Sequence, residues 1–79
     1  MGAIQTKIKN KAIERRKFII GHISAIAKEK ALDQKYISNR TGILQPSISQ
    51  SLSGDVNISL DRLCQICEAV GLKISIVEK

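Results

Sequence analysis

Residues 33–54 read DQKYISNRTGILQPSISQSLSG, and the punctuation within this stretch decides the fold. Asp33 stands where a helix N-cap belongs, with Leu32 before it and helix-compatible residues after it, so a helix is expected from Gln34 to about Thr41. Gly42 is the stop, because its backbone can adopt the left-handed conformation that ends a helix and turns the chain sharply. Pro46 lacks the N–H that a helix interior requires, so it is tolerated only in a first turn, which places the start of the next helix near Gln45. Ile48 and Leu52, at i and i+4, form the buried side of that helix. Pro46, Ser47, Ser49, Gln50 and Ser53 lie wholly or partly outward, giving a polar, short-chained outer face.

Two short helices joined by a glycine turn resemble the helix-turn-helix of the Xre and Cro/phage-repressor family, transcriptional regulators that grip operator DNA as dimers. Gln34 opens the first helix, and Ile37 and Ser38 fill its apolar and small positions. Gly42 is the turn glycine, Ile43 packs beneath the turn, Gln45 begins the recognition helix, Ile48 is its central core residue and Gly54 closes it. A small Ser38 lets the helices cross closely, while Ile37, Ile43 and Ile48 lock the angle that presents one helix outward. The flanks KEKALDQ and SLDRLCQICEAVGL extend the likeness to roughly residues 19–72. Two positions depart from the pattern. Leu44 occupies the place of the usual Ser or Thr cap, which can shift the cap to Gln45, and Ser51 occupies a usually aliphatic site, leaving that packing to Leu52.

Outward on the N-terminal side, NKAIERRKFIIGHISAIAKEKAL is helical in pattern from Asn10, a reasonable N-cap, with Ile19, Ile23, Ile26, Ala27 and Leu32 facing a core. Gly21 weakens this helix and allows a late start near Arg16. Residues 1–17 hold six Lys and Arg against one Glu, a basic arm or helix extension. Ile4 and Ile8 suit a helical face, but Ile4, Thr6 and Ile8 also alternate as a strand would, so periodicity leaves both open.

On the C-terminal side, Gly54, Asp55 and Asn57 mark a loop, and Ser59 can cap a fourth helix with apolar positions Leu60, Leu63, Cys64, Cys67 and Val70. After Gly71 the period changes: Leu72, Ile74 and Ile76 point one way, Lys73 and Ser75 the other, and a short β-strand is expected. A lone strand leaves its backbone groups unsatisfied. Its partner is either a second copy of the chain, making Leu72, Ile74 and Ile76 a dimerisation element, or the Ile4–Ile8 segment. A similar closing strand occurs in the antitoxin members of the family. The expected architecture is therefore all-α, a compact bundle of four to five helices with a short C-terminal strand. Its divisions are residues 1–17, 18–71 and 72–79.

Composition agrees with this. Seventy-nine residues make one domain, of a size at which a partner subunit adds needed apolar burial. Phe18 and Tyr36 are the only aromatics, so the core is built from Ile, Leu, Val and Ala, which suits helix-on-helix packing. Thirteen Lys and Arg against seven Asp and Glu give a formal charge of +6, which favours a polyanionic partner, nucleic acid being the usual one. The chain lacks a membrane-length apolar run and a secretory leader, so a cytoplasmic location is expected.

Cys64 and Cys67 form a C-x-x-C without a second pair, and are read as small, reduced core residues with no metal or cofactor. One isolated histidine, His22, and the absence of a phosphate-binding glycine loop argue against an enzyme. A membrane-surface role for the basic N-terminus has little apolar area behind it.

The resemblance implies a sequence-specific regulator of double-stranded DNA, repressor-like and homodimeric on a palindromic operator; the alternative is an antitoxin whose main partner is a toxin protein. Base contacts are expected from Gln45, Pro46, Ser47, Ser49 and Gln50, the glutamines because an amide both donates and accepts at the adenine edge. Phosphate contacts are expected from Gln34, Lys35, Arg40 and Ser53, with more from Lys7 to Lys17.

Overall fold

The computed structural model describes residues 2–78, with side-chain surroundings from residue 4 onward; residues 1 and 79, the outer ends of the two flanking segments, lie outside them. Four helices follow in order: α1 Gly2–Glu29, α2 Gln34–Thr41, α3 Gln45–Leu52 and α4 Leu60–Val70. α2 packs on α3 and α4, and α1 lies across α3 and α4. One core joins all four, with Ile37, Ile48, Ile66 and Val70 at its fully buried centre and Ile20, Ile23 and Ala27 of α1 closing it. The result is an all-α bundle.

α1 starts much earlier than Asn10, which is an interior residue and not a cap. Helix nucleation is the costly step, and the packed half of α1 supplies it, so the good helix formers upstream simply propagate the ladder. At 28 residues and about 1.5 Å of rise each, the helix accounts for the 44 Å long dimension of the molecule. Residues 4–12 are all exposed, so this end projects beyond the bundle. Gly21 does not interrupt the helix.

α1 ends without a glycine. Ala31 takes the left-handed conformation at φ 57°, the Ala31 N–H donates to the Lys28 carbonyl at 3.1 Å, and the Leu32 N–H donates to that of Ala27 at 2.8 Å. This paired closure is normally a glycine's task. The same closure recurs after α4, where Gly71 sits at φ 85° and the Leu72 N–H donates to the Cys67 carbonyl at 2.7 Å.

Three sequence expectations are corrected. On α1, Ile20 is a core residue that the helical pattern did not single out. On α4, Cys67 and Val70 are buried as expected and Leu63 packs on the core, but Leu60 and Cys64 are exposed and Ile66 and Ala69, which the pattern did not single out, are buried. The inward face is thus centred on Ile66 and Val70, which leaves Leu60 and Cys64 at its outer side. The expected C-terminal strand is absent among the described residues: 72–78 form no ladder, since Ile4–Ile8, the one candidate partner within the chain, is helical. The alternation survives in part, with Leu72 and Ile74 packed against the core and Ile76 96% exposed.

Candidate nucleic-acid interface

The α2–α3 corner is held by local bonds that the sequence encodes residue by residue. Asp33 caps α2, its Oδ1 accepting from the Tyr36 N–H at 2.8 Å. Gly42 ends the helix at φ 78°, and its N–H donates to the Ser38 carbonyl at 2.8 Å. The turn is then laced from both sides. The Ser38 hydroxyl donates to the Ile43 carbonyl. Thr41 Oγ1 donates to the Ile37 carbonyl at 2.8 Å and accepts from the Ile43 N–H at 3.1 Å. Thr41 was not among the residues expected to shape the turn; its value comes from lying one turn after Ile37 and two residues before Ile43. Ser38 is thus more than a small residue at a helix crossing.

α3 begins at Gln45 with Leu44 as N-cap, in extended conformation and without a side-chain capping bond; Pro46 falls in the first turn. Ile48 is fully buried and Ser51 is 4% exposed, so these two turn inward. Ser51 itself therefore fills the usually aliphatic site, with Leu52 half-buried beside it. Gln45, Pro46, Ser49 and Gln50 are exposed and Ser47 is half-buried. The helix carries no charged side chain. What it offers solvent is two amides, two hydroxyls and a proline ring.

Around this helix the expected backbone-contact residues divide. Half-buried Gln34 opens onto a groove of about 710 Å³ shared with Ser49 of α3, with Ser53 just after α3 and with Ser24 and Lys28 of α1. Lys28 at this groove is a cation that the motif-centred reading missed. Lys35 is exposed. Arg40 lies on a separate depression, lined also by Cys64, Gln65 and Glu68 of α4, with its guanidinium 6.0 Å from the Tyr36 ring centre. Ser53 Oγ donates its one proton to the Gln50 carbonyl at 2.7 Å and accepts from the Asp55 N–H at 3.2 Å, so donation to a phosphate would require breaking the first bond. Leu72 and Ile74 are half-buried and Ile76 lies wholly in solvent, at the opposite end of the chain from the basic helix extension.

The two cysteines behave differently. Cys64 is exposed and Cys67 buried. Burial, and then the nearby Cys64 and Glu68, push the Cys67 thiol above its ordinary range. Among the described residues there is no cluster of three or more His, Cys, Asp or Glu that could hold a metal ion. Among the described residues no helix is long and apolar enough to cross a membrane.

A glycine-turned pair of short helices, braced by two others and presenting the second helix's polar face outward, defines a DNA-binding helix-turn-helix domain. The family model described as a helix-turn-helix domain matches residues 3–79, and the chain belongs to that family. No curated protein and no solved structure gives a significant match.

Proposed function

We propose that this protein is a sequence-specific, double-stranded DNA-binding transcriptional regulator of the Xre/Cro-like type, acting in the cytoplasm as a homodimer on a palindromic operator and repressing by occupying it. The observation that carries this reading is α3 itself: Ile48 and Ser51 fix one side in the bundle while Gln45, Ser49 and Gln50 stand exposed on the other. An uncharged helix of this kind suits the edges of base pairs in the major groove, with the glutamine amides matched to adenine and Pro46 to a thymine methyl. The attraction comes from elsewhere on the chain, whose formal charge is +6. Lys35, Arg40, Gln34 and the cations on the exposed half of α1 are the backbone contacts of this proposal.

The dimer half of the proposal draws on the tail. Leu72 and Ile74 already lie on the core while the segment's backbone forms no ladder, and a two-fold copy supplies the missing strand. Selection of bound duplexes from random DNA at two salt concentrations tests the whole reading. Enrichment of a palindromic sequence is the expected result. Equal retention of all duplexes overturns it.

A second reading, an antitoxin whose main task is to bind and silence a toxin protein, has one observation in its favour. Ile4 and Ile8 are 62% and 67% exposed on the half of α1 that projects from the bundle. A toxin-like reading frame beside the gene, and co-purification of its product with this chain, distinguish this role; both roles can reside in one protein.

A further inference from the structure

The loop that follows α3 has few anchors of its own. Ser53, Asp55 and Asn57 are exposed, and Gly54 between them is buried with a left-handed φ of 79°. Ile58 near the loop's end packs against the core, and the loop's polar fixed points come from two directions. The Ser53 hydroxyl ties the loop back to α3 at the Gln50 carbonyl, 2.7 Å away. Arg16 of α1 supplies a polar tertiary tie: Nε donates to the Gly54 carbonyl at 3.2 Å, and Nη1 donates to Asn57 Oδ1 at 2.8 Å. Arg16 is half-buried, whereas its basic neighbours Lys11, Arg15 and Lys17 are exposed.

We infer that Arg16 is a positioning residue for the recognition helix and not one of the DNA phosphate contacts; the inference rests on the proposed DNA reading through α3. A guanidinium is a rigid planar fork, and here two of its N–H groups hold two acceptors on one loop. That loop begins one helical turn after Gln50. Base readout by an amide requires the side chain to be held within about 0.5 Å of its productive place. A shift of Gly54 is carried along α3 to the Gln50 carboxamide, so the clamp on Gly54 and Asn57 sets where the amide stands. Lysine preserves the charge but presents a single compact ammonium, which cannot reproduce the fork.

This difference separates a clamp from a phosphate contact. Using the full chain, affinity is measured for a duplex recovered from the random-DNA selection and for an unrelated duplex, each at two salt concentrations. The variants are Arg16→Lys and Asn57→Ala. Each is expected to lose about tenfold on the selected duplex, the scale of a charge-assisted hydrogen bond, with unrelated-duplex affinity and salt slope unchanged. Asn57→Ala decides alone if Arg16→Lys melts below the assay temperature. Unchanged affinity of the folded variants for the selected duplex overturns the inference, and so does an equal loss on both duplexes. It is also overturned if Arg16→Met lowers the salt slope by about 0.9, the signature of one lost phosphate contact. If the unsubstituted chain enriches no duplex, the DNA reading itself fails, a result visible before any variant is made.

Discussion

The Arg16 Nε–H donates to the Gly54 carbonyl across 3.2 Å, joining residues 38 apart in sequence. The glycine presents that carbonyl by holding φ at +79°, and a Cβ placed there would meet only Lys17 Cγ at 3.7 Å and Ile20 Cγ2 at 4.0 Å, both ordinary contacts. Space is available; the backbone conformation is what excludes other residues. Gly54→Ala is therefore expected to destabilise the fold by about 1–2 kcal/mol, the cost of a left-handed L-residue. Urea denaturation of the two proteins checks it, and equal midpoints would show that the loop escapes the strain by another route.

Ala31 presents the reverse case. It already holds φ 57° in the closure of α1, where glycine is at ease. Ala31→Gly is expected to raise stability by about 1 kcal/mol, with greater unfolded-chain freedom offsetting part of the relieved strain. A lower denaturation midpoint for the variant would contradict it.

The exposed amide of Gln50 leads to a prediction about discrimination. Gln50→Ala should cost about 1–3 kcal/mol on the selected duplex and relax preference at one position. Gel-shift titration against duplexes varied one base pair at a time reads this. An equal loss on random duplex removes Gln50 from base readout.

Truncation tests the tail. Deleting residues 73–79 removes Ile74 from the core edge and Ile76 from solvent, and should lower dimer stability and operator affinity together. Sedimentation that finds the same dimer with and without these residues takes the tail out of the interface.

Cys67 is expected to make stability fall at alkaline pH. Its folded pKa is raised, chiefly by burial, so between the unfolded and folded values the unfolded chain has already lost the proton that the folded chain keeps. Fewer protons on the unfolded state means stability declining as pH rises. The contribution is intact below the unfolded pKa and lost as pH climbs through the folded one. Denaturation of the parent and of Cys67→Ala from pH 7 upward should show a flatter decline in the variant, and a thiol reagent should label exposed Cys64 well before Cys67. Parallel declines would assign the alkaline loss to other groups.

How much of this was legible depends on whether the signal was local. Asp33, Gly42, Pro46 and Ser59 fix helix ends through their own backbone chemistry, and the structure shows α2, α3 and α4 bounded where those residues stand. The start of α1 had only a misleading marker, Asn10, which lies inside the helix, and because residues 4–12 are exposed, burial did not distinguish helix from arm. On α4, Leu60 and Cys64 have the right spacing but face solvent, because the neighbours decide which of two overlapping stripes is inward, and Ile66 won. The tail's alternation was readable, yet a strand exists only with a partner. Arg16 was invisible as a clamp since Gly54 and Asn57 lie 38 and 41 residues away. At the interface, exposure of Gln45 and Gln50 followed from their spacing relative to Ile48, whereas the engagement of Ser53 with Gln50 depends on a loop conformation that no spacing reveals.

On the proposed DNA reading, the absence of charge from α3 separates attraction from discrimination. Contacts made by amides and hydroxyls release no counterions, so rising ionic strength weakens the hold of the lysines and arginines on every duplex alike. Preference among sequences is left nearly untouched. In the proposed reading the surrounding salt then governs how long the protein dwells on DNA, while the outward side chains of α3, Gln45, Pro46, Ser47, Ser49 and Gln50, govern where.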